Sequence, residues 1–194
     1  MYDFIKGKLV ERNPAYAVIE ANGVGYLMNI SLHTYSLMKE EEHCLLYAHL
    51  AVREDAMVLF GFFEKEEREL FRQLISVSGV GTNTARMILS SLSPDEVSQA
   101  IIREDSVLLQ RIKGIGLKTA QRIIIDLKDK LYKELIPHEK LGIQHNTKKE
   151  EALSGLLILG FQKTMAEKAL NKVIEVEGPA LSVEQLIRNA LKIL

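Results

Sequence analysis

The chain of 194 residues has one cysteine, Cys44, no tryptophan and four prolines. A single thiol excludes an intrachain disulfide framework, so the fold must rest on its apolar core, as expected of a protein from a reducing compartment. Long apolar runs are missing as well. Stretches such as Leu156-Leu157-Ile158-Leu159 fall far short of the roughly 20 residues a membrane helix needs. The segment Met1-Tyr2-Asp3-Phe4-Ile5-Lys6 carries an early acid and no extended apolar core, so no secretory leader is expected. These absences predict a soluble, cytoplasmic protein with no membrane partner.

An excess of one charge is lacking too. The 25 Lys+Arg and 26 Asp+Glu leave a net charge of −1, which argues against coating nucleic acid by bulk electrostatics. The distribution is uneven, however. Residues 1–63 hold 5 basic and 8 acidic groups, whereas residues 106–133 hold 7 basic (Arg111, Lys113, Lys118, Arg122, Lys128, Lys130, Lys133) and 2 acidic ones. A cationic stretch on a neutral chain suggests a confined docking face for an anion, although a solvated helix face would look the same.

The first third reads as short strands. Tyr2 to Val10, Tyr16 to Ala21, Val24 to Ile30, Cys44 to Val52 and Met57 to Phe63 are rich in β-branched, aromatic and aliphatic residues. Turn material separates them at Asn13-Pro14, Asn22-Gly23 and Arg53-Glu54-Asp55. Five strands in this span predict a small barrel of the oligonucleotide/oligosaccharide-binding type over residues 1–63. From Glu64 the period becomes helical, with Leu70, Phe71, Leu74, Ile75 and Val77 on one face. Ser93-Pro94-Asp95-Glu96 predicts a capped helix start, and further helices are expected from about Ser106 and over Leu117 to about Leu131. The expected helical domain is 64–133. Residues 134–149 lose the period and predict a flexible linker. Residues 150–194 predict three short helices, with capping boxes at Thr147/Glu150, Thr164/Glu167 and Ser182/Gln185. Their expected apolar stripes are Leu153/Leu156/Leu157, Ala166/Ala169/Leu170/Val173 and Leu186/Ile187/Ala190/Leu191/Leu194.

One internal repeat stands out. Val77-Ser78-Gly79-Val80-Gly81-Thr82-Asn83-Thr84-Ala85 aligns with Ile112-Lys113-Gly114-Ile115-Gly116-Leu117-Lys118-Thr119-Ala120 at an offset of 35. Each copy reads helix, Gly-(Val/Ile)-Gly, helix. Two glycines permit a tight reversal and close approach of a ligand to the backbone, while the residue between them can anchor the turn. The helix that follows at once presents unpaired amides and a positive dipole end, a setting that favours phosphate. Thr119 and Lys118 can add a hydroxyl and a charge. Such a contact grips the sugar–phosphate backbone without reading bases. Gly23-Val24-Gly25 precedes a strand and is expected to be a turn only.

Other chemistry finds no pattern. Neither repeat has the third glycine of a dinucleotide fingerprint, and Gly7-Lys8 is followed by Leu9, so there is no Walker A loop. His33, His43, His49, His138 and His145 lack metal-site spacing. No catalytic residue, metal or cofactor is assigned.

The barrel ending in Val52-Arg53-Glu54-Asp55-Ala56, the following Leu59-Phe60-Gly61-Phe62, the two hairpins 35 apart, the tether and the helical tail resemble the RuvA family along the whole chain. These are Holliday-junction-binding subunits of a bacterial branch-migration complex. The resemblance implies an α+β multidomain fold whose tail is a UBA-like bundle. It also implies a homotetramer, or two tetramers as an octamer, that holds an open four-way DNA junction during recombination, DNA repair and the SOS response. By the same resemblance Gly79, Val80, Gly81, Thr82, Asn83, Gly114, Ile115, Gly116, Leu117, Lys118, Thr119 and Arg122 would bind DNA, and Glu54 and Asp55 would form an acidic pin at the junction centre. The tail would engage RuvB, a hexameric ATPase that consumes the ATP, with Leu156, Leu159 and Phe161 as candidate contacts; the RuvC resolvase is a further expected partner. Eight hairpins per tetramer, one phosphate each, would give a salt slope of about −7. The chain departs from the pattern where family members often carry lysine, at Thr82-Asn83-Thr84 and at Leu117. Two other readings compete: a hairpin-bearing glycosylase or nuclease, and an interaction scaffold in which the glycine turns are only structural.

Overall fold

Period-two alternation of apolar and polar residues builds five strands: β1 (Phe4–Arg12), β2 (Tyr16–Ala21), β3 (Val24–Asn29), β4 (His43–Val52) and β5 (Met57–Phe62). The computed structural model describes residues 2–39, 43–135, 144–178 and 181–194, with 133–135 and 144–147 as backbone only. The strands close into a barrel in the order β1-β2-β3-β5-β4, all pairs antiparallel except β3 with β5. Ile5, Ala17, Ile19, Met28, Leu46 and Ala48 fill its interior. Asn22 (φ 52°) and Gly23 (φ 82°) form the two-residue turn between β2 and β3, with Ala21 paired to Val24, so this glycine pair is a hairpin turn as expected.

A short helix not expected from the sequence, α1 (Leu32–Leu37), lies between β3 and β4 and is capped by Ser31, whose side chain accepts from the Thr34 amide. Its six residues are too few to display a helical period. Next come α2 (Lys65–Ser76), α3 (Thr82–Ser91), α4 (Pro94–Ile102), α5 (Ser106–Gln110) and α6 (Leu117–Leu135). The predicted capping box at Ser93/Glu96 is formed in full.

Barrel and helices of Met1–Ile136 make one unit. Phe60 and Phe62 of β5 turn outward from the barrel and pack on Phe71 of α2, with ring centroids 5.1 and 4.9 Å apart. Three polar ties accompany this contact. Glu67 of α2, fully buried, accepts from the Ser31 and Thr34 hydroxyls, the latter at 2.6 Å. Arg68, also buried, donates to the Asp3 carbonyl and carboxylate, each at 2.6 Å, and stacks over Tyr47. Arg86 of α3 donates to the Ala15 carbonyl and Asn29 Oδ1 at 3.1 and 3.2 Å.

The second unit, Pro137–Leu194, contains α7 (Gln144–Ile158), α8 (Lys163–Glu177) and α9 (Val183–Ala190) around Ala152, Leu156, Ala166, Ala169, Leu170, Val173, Leu186 and Ala190. Some expectations change here. Leu157 and Leu191 are exposed rather than core, because Ala152 occupies the inward position on α7 and the chain turns at Leu191. Thr164 does not cap α8, which starts one residue earlier behind Gln162; Glu167 instead faces Lys163 at 3.8 Å. Helix α7 begins ahead of Thr147, whose side chain lies outside the described residues. Helix also enters the predicted linker from both ends, through Leu135 and from Gln144, while residues 136–143 lie outside the described residues. The capping box at Ser182/Gln185 is present as predicted.

Burial pushes the Glu67 carboxyl above its ordinary value, opposed by the two hydroxyls and by His33, while Glu64 adds to the rise. A carboxyl that holds its proton more tightly when folded contributes most stability at low pH and loses it as pH climbs through the raised folded value. Urea unfolding of wild-type and Glu67→Gln protein from about pH 4 to about pH 8 should therefore show the wild type losing ground to the variant as pH rises. A difference independent of pH would contradict this.

Candidate nucleic-acid interface

The repeated hairpins are built alike. Helix α2 ends at Ser76 and Val77 leaves the helical conformation; Gly79 then takes φ +91°. In the second copy Gly114 takes φ +92°. The Val80 amide returns to the Val77 carbonyl at 3.0 Å, and the Ile115 amide to the Ile112 carbonyl at 3.1 Å. Val80 and Ile115 are each 5% exposed, so the apolar residue between the glycines plugs the helical core. Ala85 and Ala120, both fully buried, follow at the same offset. With the plug inward, the flanking glycines face out: a Cβ added at Gly79, Gly81, Gly114 or Gly116 would meet nothing within 4 Å.

The helices after the turns begin without side-chain caps. Gly81 is the N-cap of α3 and carries no side chain to accept a hydrogen bond. The first intrahelical bonds are Ala85 N–H to the Gly81 carbonyl and Ala120 N–H to the Gly116 carbonyl, both 2.9 Å. The amides of Gly81, Thr82 and Asn83, and of Gly116, Leu117 and Lys118, therefore have no acceptor among the described residues. Three outward donors at the positive end of a helix form an anion cradle.

Two arginines join these cradles to each other and to the barrel. Arg122 of α6 donates to Ser78 Oγ, at the mouth of the first hairpin, at 3.4 Å. Arg53 Nη2 donates to Thr82 Oγ1, on the first residue of α3, at 3.2 Å. Arg53 belongs to the β4–β5 turn, which its own amide closes on the Ala56 carbonyl at 2.8 Å, and which carries Glu54 and Asp55, both exposed. One surface thus holds both hairpins and the acidic turn. Of the cations in 106–133, Lys128 pairs with Glu104, while Arg111, Lys113 and Lys118 are exposed and face no carboxylate among the described residues. Thr119 is half-buried and Leu117 is 51% exposed.

Comparison with known proteins agrees with this architecture. Residues 1–61 match the model for the RuvA N terminal domain, 71–129 that for a SAM-like helix-hairpin-helix tandem, and 147–194 that for the RuvA C-terminal domain. A protein of Christiangramia forsetii described as Holliday junction branch migration complex subunit RuvA is 56% identical over 192 residues, 99% of either chain. Relatives with the same description from Flavobacterium psychrophilum and Bacteroides fragilis are 50% and 48% identical, again over 99% of each chain. The chain belongs to the RuvA family.

Within this RuvA-family chain the candidate tail contacts separate. Leu156 is fully buried in the tail core, so it supports the bundle and cannot present a surface. Leu159 is 59% exposed, beside Ile158 at 84%, and Phe161 is half-buried against the core. Sequence reasoning did not assign Arg53 or Ser78 to the site. The signal for Arg53 was its position as the one cation in an otherwise acidic turn; Ser78 gave none, since its role arises only from the reach of Arg122.

The positive φ at Gly79 gives a stability test. With open space around the position, replacement is limited by backbone strain, about 1–2 kcal/mol for an ordinary residue. Urea unfolding should rank Gly79→Asn above Gly79→Ala, and Gly79→Ala above Gly79→Val, because Asn tolerates this region and β-branched residues do not.

Proposed function

We propose that this chain binds four-way DNA junctions and positions the RuvB motor for branch migration, without catalysing a reaction itself. The observation that carries the reading is the pair of equivalent amide cradles on one surface with the acidic turn. Amides at Gly79–Asn83 and Gly114–Thr119 take backbone phosphates, and Arg122 and Lys118 add charge beside them. Binding of this type is indifferent to base sequence, because no side chain is committed to a base edge. A homotetramer presents four such surfaces, one per arm of an open junction. Two stacked tetramers would enclose it, and one leaves a face open to RuvC.

Glu54 and Asp55 act by repulsion. Carboxylates are unfavourable beside phosphate, so their value is in excluding duplex backbone from the junction centre and guiding strands as pairs exchange. Linear duplex, which has backbone where the junction has an opening, is selected against. The tail carries the motor contact, with Leu159 and Phe161 in its surface. ATP is consumed by RuvB.

Competition between a four-way junction and a linear duplex of the same sequence should favour the junction strongly; equal affinity would overturn the reading. Replacing Glu54 and Asp55 with Gln and Asn should preserve or tighten junction binding, raise duplex binding and alter migration. A clear loss of junction binding would contradict the repulsive role. Removing residues 150–194 should leave junction binding intact and abolish stimulation of RuvB-driven migration, measured by dissociation of labelled strands.

A further inference from the structure

The two hairpins match in backbone but not in charge. Between Ile112 and Ala120 the second carries Lys113 and Lys118, both exposed. Between Val77 and Ala85 the first carries no cation; Ser78, Thr82, Asn83 and Thr84 are its polar side chains. The next cation along α3, Arg86, is engaged by the barrel at Ala15 and Asn29. Equal amide cradles with unequal charge would hold phosphate unequally, since a charged donor gives a markedly stronger bond than a neutral one.

Two cations reach the first hairpin from outside its own segment: Arg122 of α6, at Ser78 before the turn, and Arg53 of the barrel, at Thr82 where α3 starts. The Arg53 guanidinium is exposed, and Thr82 Oγ1 is its side-chain partner among the described residues. It forms no ion pair with Glu54 or Asp55, its chain neighbours. Placed at the start of α3, it faces the positive end of the helix dipole and three unpaired amides, an arrangement that is unfavourable alone and favourable once an anion joins it. One guanidinium N–H is used on Thr82, which orients the planar fork and leaves the others for a phosphate.

We propose that Arg53 supplies, at the start of α3, the cation that the first hairpin's own segment lacks there, its guanidinium and the α3 amides taking the same backbone phosphate. Because Arg53 also closes the turn bearing Glu54 and Asp55, one contact sets both the grip on the strand and the position of the carboxylates relative to it. Arg53 is thus a binding residue and a positioning residue for the acidic turn. This rests on the junction-binding reading above.

The test is junction titration over a range of salt with full-length wild type, Arg53→Gln, Arg53→Lys, Thr82→Val and the double variant Arg53→Gln/Asn83→Lys. Arg53→Gln should weaken binding roughly tenfold or more and make the salt slope shallower by about 0.9 per subunit. Arg53→Lys and the added Asn83→Lys should each restore the slope, because they return a charge to the cradle. Thr82→Val should lower affinity at unchanged slope, as it removes the orienting oxygen but no charge. The double variant should still show altered migration, since its cation no longer sits on the turn. Unchanged slope in Arg53→Gln, with or without a loss of affinity, would overturn the proposal while leaving junction binding standing. Failure of the wild type to prefer a junction would instead remove the reading beneath it.

Discussion

The packing of Phe71 against Phe60 and Phe62 fixes the relation between a β-barrel and a helical domain that would otherwise be separate bodies. Burying rings of this size contributes about 1.5–3 kcal/mol each, and the position of β5 makes that energy structurally useful. The strand has a barrel core on one side and the helical core on the other, so its turn with β4 is held in register with α3. The buried Glu67 and Arg68 add direction to a contact that apolar packing alone would leave free to slide. Hydroxyl, carbonyl and carboxylate partners must all be met at once, and a sheared interface would strand a buried charge.

The hairpins obey a complementary logic. Val80 and Ile115 are inward plugs, and burying them forces the glycines on either side to the surface. What the surface then offers is main chain, at the one place in a helix where main-chain donors are unpaired. The two copies reproduce each other to within a degree at the positive-φ glycine and a tenth of an ångström at the turn bond. The side chains at the helix starts, Thr82-Asn83 and Leu117-Lys118, share no such constraint.

Much of this was legible in the sequence because it follows short periods. The strand pattern fell within two residues of every observed strand end, the largest offsets being at β1, where a bulge between Leu9 and Glu11 carries the strand on to Arg12. The hairpin repeat was visible because duplication preserved both glycines and the plug. Features set by three-dimensional reach were not legible. Helix α1 is too short to display a repeating period, and nothing local shows that Glu67 would face Ser31 and Thr34 from more than thirty positions away. In the tail, Leu156 and Leu159 look alike in a run of aliphatic residues; only the packing of α7 sends one inward and leaves the other outside. Arg53 read as part of a turn until the barrel–helix contact brought it to Thr82.

The division of labour within each hairpin has an evolutionary corollary. Shape resides in the glycines and their plug, and electrostatic strength resides in neighbours that touch no core atom. A lineage can therefore strengthen or relax its hold on a polyanion by exchanging surface residues, or by recruiting a charge from an adjoining domain, without passing through a misfolded ancestor. Paralogous turns in a single chain are free to drift apart in strength while remaining superimposable in form.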